Sequence, residues 1–85
     1  MIKLFVSSRV PNCQGCMSAR RYLQMNHFRY EEVDIAKNRD EANAMYKKSK
    51  SLMIPQLNIG GEIVIGFNNR MVAEAINKLI KDASK

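Results

Sequence analysis

The sequence predicts an α/β fold in which helices cover both faces of a four-stranded mixed sheet, with the element order β-α-β-α-β-β-α. Three observations support this prediction. The chain opens on a short apolar run typical of a buried strand, a Gly60-Gly61 pair separates two later strand-like runs, and three segments repeat apolar residues at helical spacing. With 85 residues and 46% hydrophobic content, we expect one small domain over residues 1–85.

The first half of the chain is predicted to alternate strands with helices. Ile2–Val6 is a compact apolar run, and Leu4 and Phe5 fall on opposite faces of it, so both faces should be covered. The segment 29–35 ends in the apolar and polar alternation of a second strand. Between them we predict a helix whose inward residues recur every three or four positions: Cys16, Ala19 and Leu23.

Two further helices are predicted from capping residues and apolar spacing. Asn38 followed by Glu41 resembles a capping box, and Asn68 or Asn69 can cap the last helix. The polar tail, residues 81–85, is expected to fray. The predicted apolar faces are Ala42, Met45 and Tyr46 on the second helix, and Val72, Ala75, Ile76 and Leu79 on the last.

The remaining elements form a predicted β-hairpin. Gln56–Ile59 and Glu62–Ile65 are strand-like runs, and the Gly60-Gly61 pair between them suits a tight turn at positive φ. These strands should therefore be antiparallel neighbours. Pro55 precedes the first of them, where its missing N–H tends to mark the start of a strand.

Charge and composition exclude some classes of function. The formal charge of +6, from 14 basic and 8 acidic side chains, favours anionic partners in general. Nucleic acid is not favoured, because only three Phe and three Tyr are present and no recognition motif accompanies the charge. The opening apolar run is too short for a signal peptide, and no segment approaches the roughly 20 apolar residues of a membrane span. We therefore expect a cytoplasmic monomer with no membrane contact.

The only two cysteines lie in Cys13-Gln14-Gly15-Cys16, directly before the first predicted helix. In a reducing compartment such a pair is more often catalytic or metal-binding than structural. A helix N-terminus favours the thiolate, so Cys13 should be the better nucleophile. Cys16, one turn inside the helix, would then resolve the mixed disulfide. The motif predicts thiol–disulfide exchange that needs neither a metal nor an organic cofactor.

Four motifs follow one another along the chain: Pro11-Asn12 leading into Cys13-Gln14-Gly15-Cys16, then Ile54-Pro55-Gln56, then Gly60-Gly61, then Gly66-Phe67. In this order and spacing they resemble the glutaredoxin family, over nearly all of the chain. The resemblance implies the small thioredoxin-like fold of that family, a three-layer α/β/α arrangement. The Pro-Asn-Cys approach and the late Gly-Phe also resemble the glutaredoxin-like hydrogen donors of ribonucleotide reductase, which implies that enzyme as a partner.

The resemblance also implies roles for individual residues. Cys13 matches the exposed nucleophile, Cys16 the resolving cysteine, and Pro55 a cis-proline that faces the disulfide. The backbone of Ile54 would pair with the bound thiol compound, and Met53 would offer an apolar contact to a protein substrate at the rim. Further positions expected to contact substrate or glutathione are Arg9, Gln14, Gly15, Asn68 and Asn69.

Three departures from the family pattern fall on features that face glutathione. Gln14-Gly15 replaces the usual Pro-Tyr, Met53-Ile54-Pro55 replaces Thr-Val-Pro, and Gly66-Phe67-Asn68-Asn69 lacks the Asp of Gly-Gly-x-Asp. Glutathione remains a co-substrate to consider. The departures instead favour a thioredoxin-reductase-type flavoenzyme or another dithiol as the electron donor, with protein disulfides as substrates.

Other classes use closely spaced cysteines too. Cu(I) chaperones of ferredoxin-like fold carry C-x-x-C after their first strand, and two thiolates suit Cu(I). Their order, β-α-β-β-α-β, ends in a strand, whereas this chain is predicted to end in a helix. A structural zinc site would need four ligands, and His27 is the only other soft candidate. A glutaredoxin that binds an iron–sulfur cluster through Cys13 and glutathione is a third alternative.

Overall fold

The computed structural model describes residues 2–83 and has the predicted order of elements. The strands are β1 (Ile2–Val6), β2 (Glu31–Asp34), β3 (Gln56–Ile59) and β4 (Glu62–Ile65), and the helices are α1 (Gln14–Met25), α2 (Arg39–Ser49) and α3 (Asn69–Ala83). The strand order in the sheet is β2-β1-β3-β4. Because β1 is parallel to β2 but antiparallel to β3, and β3 is antiparallel to β4, the sheet is mixed as predicted.

The two faces of β1 lie in different cores, as the alternation predicts. Leu4 is fully buried in a large cluster that includes the inward residues of α1 and α3. Phe5 is buried on the opposite face with Val33 and Met45, beneath α2. The sheet is therefore the middle layer of a three-layer α/β/α fold.

α2 packs against the sheet through one buried side chain, Met45, which contacts Phe5 and Val33. Met45 is only 2% exposed, and burying such a side chain contributes about 1.5–3 kcal/mol. Lys3 and Glu41 also join β1 to α2 through a 2.8 Å ion pair between partly buried side chains, and a pair this close to the surface contributes about 0–1 kcal/mol. Burial of Met45 is thus the larger of the two contributions.

The β3–β4 hairpin depends on its glycines. Gly60 and Gly61 both adopt positive φ, 61° and 100°, which side chains rarely tolerate. A β-carbon on Gly60 would also lie 2.6 Å from Cδ1 of Leu79 on α3. The tight turn predicted from the sequence is confirmed, and it packs closely against the last helix.

Asparagine side chains cap two of the helices. Oδ1 of Asn38 accepts a hydrogen bond from the Glu41 N–H at 3.1 Å. The Glu41 carboxylate binds Lys3 instead of returning to Asn38, so only half of the predicted capping box forms. At α3, Oδ1 of Asn68 accepts from the N–H groups of Arg70 and Met71, which identifies Asn68 rather than Asn69 as the cap.

One sequence expectation was wrong in detail. Tyr46 was expected on the apolar face of α2 but is 48% exposed, since Met45 is the buried residue of that helix. β2 lies within the predicted segment 29–35, and the Ile35 N–H continues its pairing by donating to the Val6 carbonyl at 2.9 Å. α3 continues through Ala83, inside the tail 81–85 that is predicted to fray, so fraying stays a prediction; positions 84 and 85 lie outside the described residues. Within residues 2–83, no helix combines the length and apolar content that a bilayer crossing requires.

The loop between β1 and α1 is anchored to the end of β2 by Asp34. Its Oδ1 accepts hydrogen bonds from the N–H groups of Ser8 and Ala36, each at 3.0 Å. The bond from Ser8 is the main cause of a pKa lower than the ordinary value for this carboxyl. Asp34 thereby fixes the loop that leads into Cys13.

Replacing Asp34 should change how the free energy of unfolding depends on pH. A carboxyl whose pKa is lower in the folded state stabilises the protein above pH about 4, and the contribution is lost as the pH falls through the lowered pKa. The unfolding free energy of Asp34→Asn, measured by urea titration, should therefore fall less steeply between about pH 4 and pH 2 than that of the parent protein. An equal steepness in both proteins would contradict this role.

Candidate active site

The two cysteines form a disulfide at the N-terminus of α1. Cys13 is the N-cap, and its Sγ accepts a hydrogen bond from the Cys16 N–H at 3.1 Å. The helix dipole and the free N–H groups of the first turn also converge there. Cys16 is 4% exposed, within the main core, whereas Cys13 is only partly buried. Cys13 is therefore the sulfur that a substrate can reach.

Pro55 packs directly against the backbone of α1. The Ile54-Pro55 peptide bond is cis, as the family resemblance implied. A β-carbon built on Gly15 would lie 2.9 Å from Cδ and 3.3 Å from Cγ of Pro55, closer than ordinary contacts. The Pro55 carbonyl also accepts a 2.8 Å hydrogen bond from the Gly66 N–H. Three chain segments thus meet at Pro55: the start of α1, the entry to β3 and the loop after β4.

Ile54 presents an unpaired stretch of backbone at this junction. Neither its N–H nor its C=O makes a hydrogen bond with any other residue in the range 2–83. Its side chain packs against the main core, so the residue is anchored from the inside. An anchored, unpaired backbone of this kind can add a strand-like segment of another molecule.

Exposed apolar side chains precede Pro55 and also lie beside the cysteines. In the segment before Pro55, Leu52 and Met53 are 62% and 64% exposed. On the α1 side, Val10 and Met17 are also exposed and line a cavity of about 320 Å³ together with both cysteines. Met53 is thus exposed in the segment before Pro55, and its predicted position at the rim and its role in substrate contact stay predictions.

Charged residues also line the cavity that contains both cysteines. Glu32 and Asp34 of β2 contribute to its wall. Arg20 of α1 donates two hydrogen bonds to the Glu32 carboxylate, from Nε at 2.8 Å and from Nη2 at 2.9 Å. This bidentate pair links α1 to β2 below the disulfide and neutralises the Glu32 charge.

Arg9 lines a second cavity, of about 300 Å³, together with Arg39 at the start of α2. Sequence reasoning selected Arg9 but missed Arg39. A signal was available, because β1 and β2 are parallel and the residues after their carboxyl ends meet at one edge of the sheet. Two guanidinium groups in one cavity can bind a carboxylate.

The other predicted contact residues lie around the start of α3 and the start of α1. Asn68 is committed to capping, since its Oδ1 accepts two backbone hydrogen bonds. Asn69 instead lines a groove of about 450 Å³ between α1 and α3. Tyr22 and Phe67 are also part of this groove, with ring centroids 5.8 Å apart. Gln14, the first residue of α1, is exposed beside the disulfide.

Metal coordination has a limited basis in the described part of the chain. Among residues 2–83, no three His, Cys, Asp or Glu side chains lie together in a way that could hold a metal ion. A structural zinc site with His27 therefore lacks a ligand set there.

Comparisons with known proteins agree on the family and the fold. The glutaredoxin family model matches residues 2–64. A glutaredoxin-like 8.6 kDa protein in the rubredoxin operon of Clostridium pasteurianum is 31% identical over 78 residues, which cover 92% of this chain and 100% of that protein. The crystal structure of the thioredoxin-like protein BC3987 is similar with a TM-score of 0.78 and 27% identity, covering 88% of this chain and 99% of that one. A glutaredoxin from Archaeoglobus fulgidus has a TM-score of 0.76 at 20% identity, covering 88% of this chain and 84% of that one.

Because Pro55 packs closely against Gly15, we expect a larger residue at position 15 to lower the stability of the protein. Alanine normally stabilises a helix by up to about 1 kcal/mol relative to glycine, but forcing a methyl group into a packed contact costs about 1–3 kcal/mol. We therefore expect Gly15→Ala to lower the unfolding free energy of the oxidised protein by about 1 kcal/mol, measured by urea titration. Ser18→Ala, on an exposed position of the same helix, is the matched control and should not destabilise the protein. Equal stabilisation in both variants would show that Pro55 does not limit this position.

Proposed function

Because the chain belongs to the glutaredoxin family of thiol–disulfide oxidoreductases, we propose that Cys13 and Cys16 are its redox centre and reduce disulfides of proteins or small molecules. The observation that carries this proposal is the position of Cys13. Its sulfur caps α1, accepts the Cys16 N–H and lies on the accessible side of the pair. These features favour a thiolate at Cys13 once the disulfide is reduced.

The proposed cycle has two exchange steps. The Cys13 thiolate attacks one sulfur of the substrate disulfide, a bond forms between them, and the second substrate sulfur leaves as a thiolate that takes up a proton. The Cys16 thiolate then attacks Cys13 Sγ, which forms the Cys13–Cys16 disulfide and releases the first substrate sulfur. Two electrons have passed to the substrate, and an external thiol must return them. The two sulfurs carry both electrons, so the proposed cycle uses no metal or organic cofactor.

Backbone pairing is the proposed means of holding the substrate. The unpaired N–H and C=O of Ile54 lie at the junction of Pro55 with α1, where they would pair with the extended segment that carries the substrate disulfide. The exposed side chains of Leu52 and Met53 would add apolar contact with a protein substrate. Protein disulfides, including one of ribonucleotide reductase, are therefore the proposed substrates, and a reducing compartment such as the cytoplasm would suit a monomer that works in this way.

Glutathione is proposed to be a poor electron donor for this chain. The cavity lined by Arg9 and Arg39 supplies one site for a carboxylate. The second contact that the family makes, at the start of the last helix, lacks the usual Asp, and the side chain of Asn68 is occupied as a cap. A donor that presents its own dithiol, such as a thioredoxin-reductase-type flavoenzyme, would not need that second contact.

A Cu(I) function has less support. Two thiolates suit Cu(I), but the order of the described elements is β-α-β-α-β-β-α, unlike the β-α-β-β-α-β order of the ferredoxin-like copper chaperones. We therefore do not propose it.

The assigned roles of the two cysteines can be separated by substitution. Cys13→Ser should abolish disulfide reduction, because the attacking sulfur is removed. Cys16→Ser should accumulate a mixed disulfide with the substrate, detected as added mass under non-reducing conditions, because nothing resolves it. Equal residual turnover in the two variants would contradict these roles.

The electron donor can be identified by supplying each candidate system separately. Oxidised protein should be reduced faster by NADPH with a thioredoxin reductase than by glutathione with its reductase. Glutathione rates comparable to those of a typical dithiol glutaredoxin would refute the proposal.

The same assay tests the arginine cavity. Arg39→Met should slow reduction by glutathione about fivefold, since one exposed charge pair contributes about 1 kcal/mol. Lys78→Met, which removes the same charge from the far side of α3, is the control and should leave the rate unchanged. If both variants slow equally, the overall charge rather than the cavity is responsible.

A further inference from the structure

Gln56 is a buried polar side chain that the proposed cycle does not use. It is the first residue of β3, follows Pro55 directly and is 0% exposed. It pairs across the sheet with Phe5, so its side chain lies on the face covered by α2. An amide buried in this way must use its hydrogen bonds within the protein.

The amide nitrogen of Gln56 holds the segment that leads to Ile54. Its Nε2 donates to the Ser51 carbonyl at 2.9 Å and to the Met53 carbonyl at 2.8 Å. The same segment is bound locally by Ser51, whose Oγ accepts from the Met53 N–H at 3.0 Å. Both carbonyls held by Gln56 therefore lie within three residues of the unpaired backbone of Ile54.

The amide oxygen of Gln56 has no corresponding partner. Its Oε1 is buried and makes no hydrogen bond with any residue in the range 2–83. An unpaired buried oxygen lowers stability, and an apolar side chain of similar size would avoid that cost. Packing of the sheet therefore does not require an amide at this position, and its contribution is the position of the segment 51–53.

We propose that Gln56 is a positioning residue for substrate binding. Gln56 binds the Met53 carbonyl and shares the Ser51 carbonyl with Oγ of Ser49. Its side chain thereby holds the Ile54 N–H and C=O beside Pro55, where they pair with the backbone of a disulfide substrate. This inference rests on the proposed function. Gln56 does not touch the reacting sulfurs, so its removal should weaken alignment of the substrate and leave the reactivity of the Cys13 thiolate intact.

The experiment compares two reagents that differ in their need for alignment. In the full chain carrying Cys16→Ser, reduced Cys13 is reacted either with a disulfide-linked dimer of a short peptide or with iodoacetamide. The peptide must pair with the Ile54 backbone, whereas iodoacetamide needs only a thiolate. Adding Gln56→Met should slow the reaction with the peptide disulfide by about tenfold and leave the alkylation rate unchanged.

Two further variants keep the test decisive. Asn58→Ala removes another side-chain hydrogen bond of β3, the 2.8 Å bond from the Gly61 N–H, at the end of the strand away from Cys13, and should change neither rate. Ser51→Ala loosens the segment 51–53 without altering the buried strand. It should lower the ratio of the rate with the peptide disulfide to the rate of alkylation. If Gln56→Met does not fold, as judged by circular dichroism, the test uses Ser51→Ala instead. An unchanged ratio of the peptide-disulfide rate to the alkylation rate in that variant would contradict the inference.

The outcomes distinguish this inference from the proposed function. If the two rates fall in parallel in the folded variant, or if neither changes, Gln56 does not position the substrate. If the Cys16→Ser parent is alkylated but does not react with the peptide disulfide, the proposed function itself fails.

Discussion

The close contact between Pro55 and the backbone of Gly15 is the constraint on which the site depends. It joins the first turn of α1 to the entry of β3, two segments that no hydrogen-bonded ladder connects. The Pro55 carbonyl extends the same junction to the loop that leads into α3 through the Gly66 N–H. Both sides of this contact are rigid, a proline ring against helix backbone, so the contact limits how far the Ile54-Pro55 segment can move relative to the start of α1.

The strands of the sheet hold the segments that form this junction. β1 is buried on both faces and carries the chain straight from the core into the loop before Cys13, and Asp34 of β2 holds that loop at the Ser8 N–H. The parallel pairing of β1 with β2 brings Arg9 and Arg39 to the same edge. Thus a redox pair, an unpaired strand-like backbone and a cationic cavity lie at one end of the sheet as a consequence of strand direction.

Local patterns predicted most of the fold and the chemical centre of the site. The spacing of Cys16, Ala19 and Leu23 identified α1 and the burial of the second cysteine, because helix periodicity can be recognised from residues close together in sequence. Arg39 and Gln56 were not found, since the role of each depends on residues distant in sequence. Tyr46 shows the opposite error. Its spacing fits an apolar face of α2, but that helix buries Met45 and leaves Tyr46 exposed.

The proposed way of holding the substrate has a consequence for selectivity. Backbone pairing at Ile54 would use groups that every polypeptide offers, so it would fix the direction of an extended substrate without selecting its side chains. Under this proposal, selection would come from what surrounds Cys13, where the exposed side chains of Val10 and Met17 line one cavity with both cysteines. Glutathione is small and is recognised through its charged ends, so it would gain little from these apolar side chains, whereas a protein segment can cover them. The apolar surface beside Cys13 therefore supports the proposed class of substrate, a polypeptide disulfide, while the cavity lined by Arg9 and Arg39 would add a contact for a carboxylate.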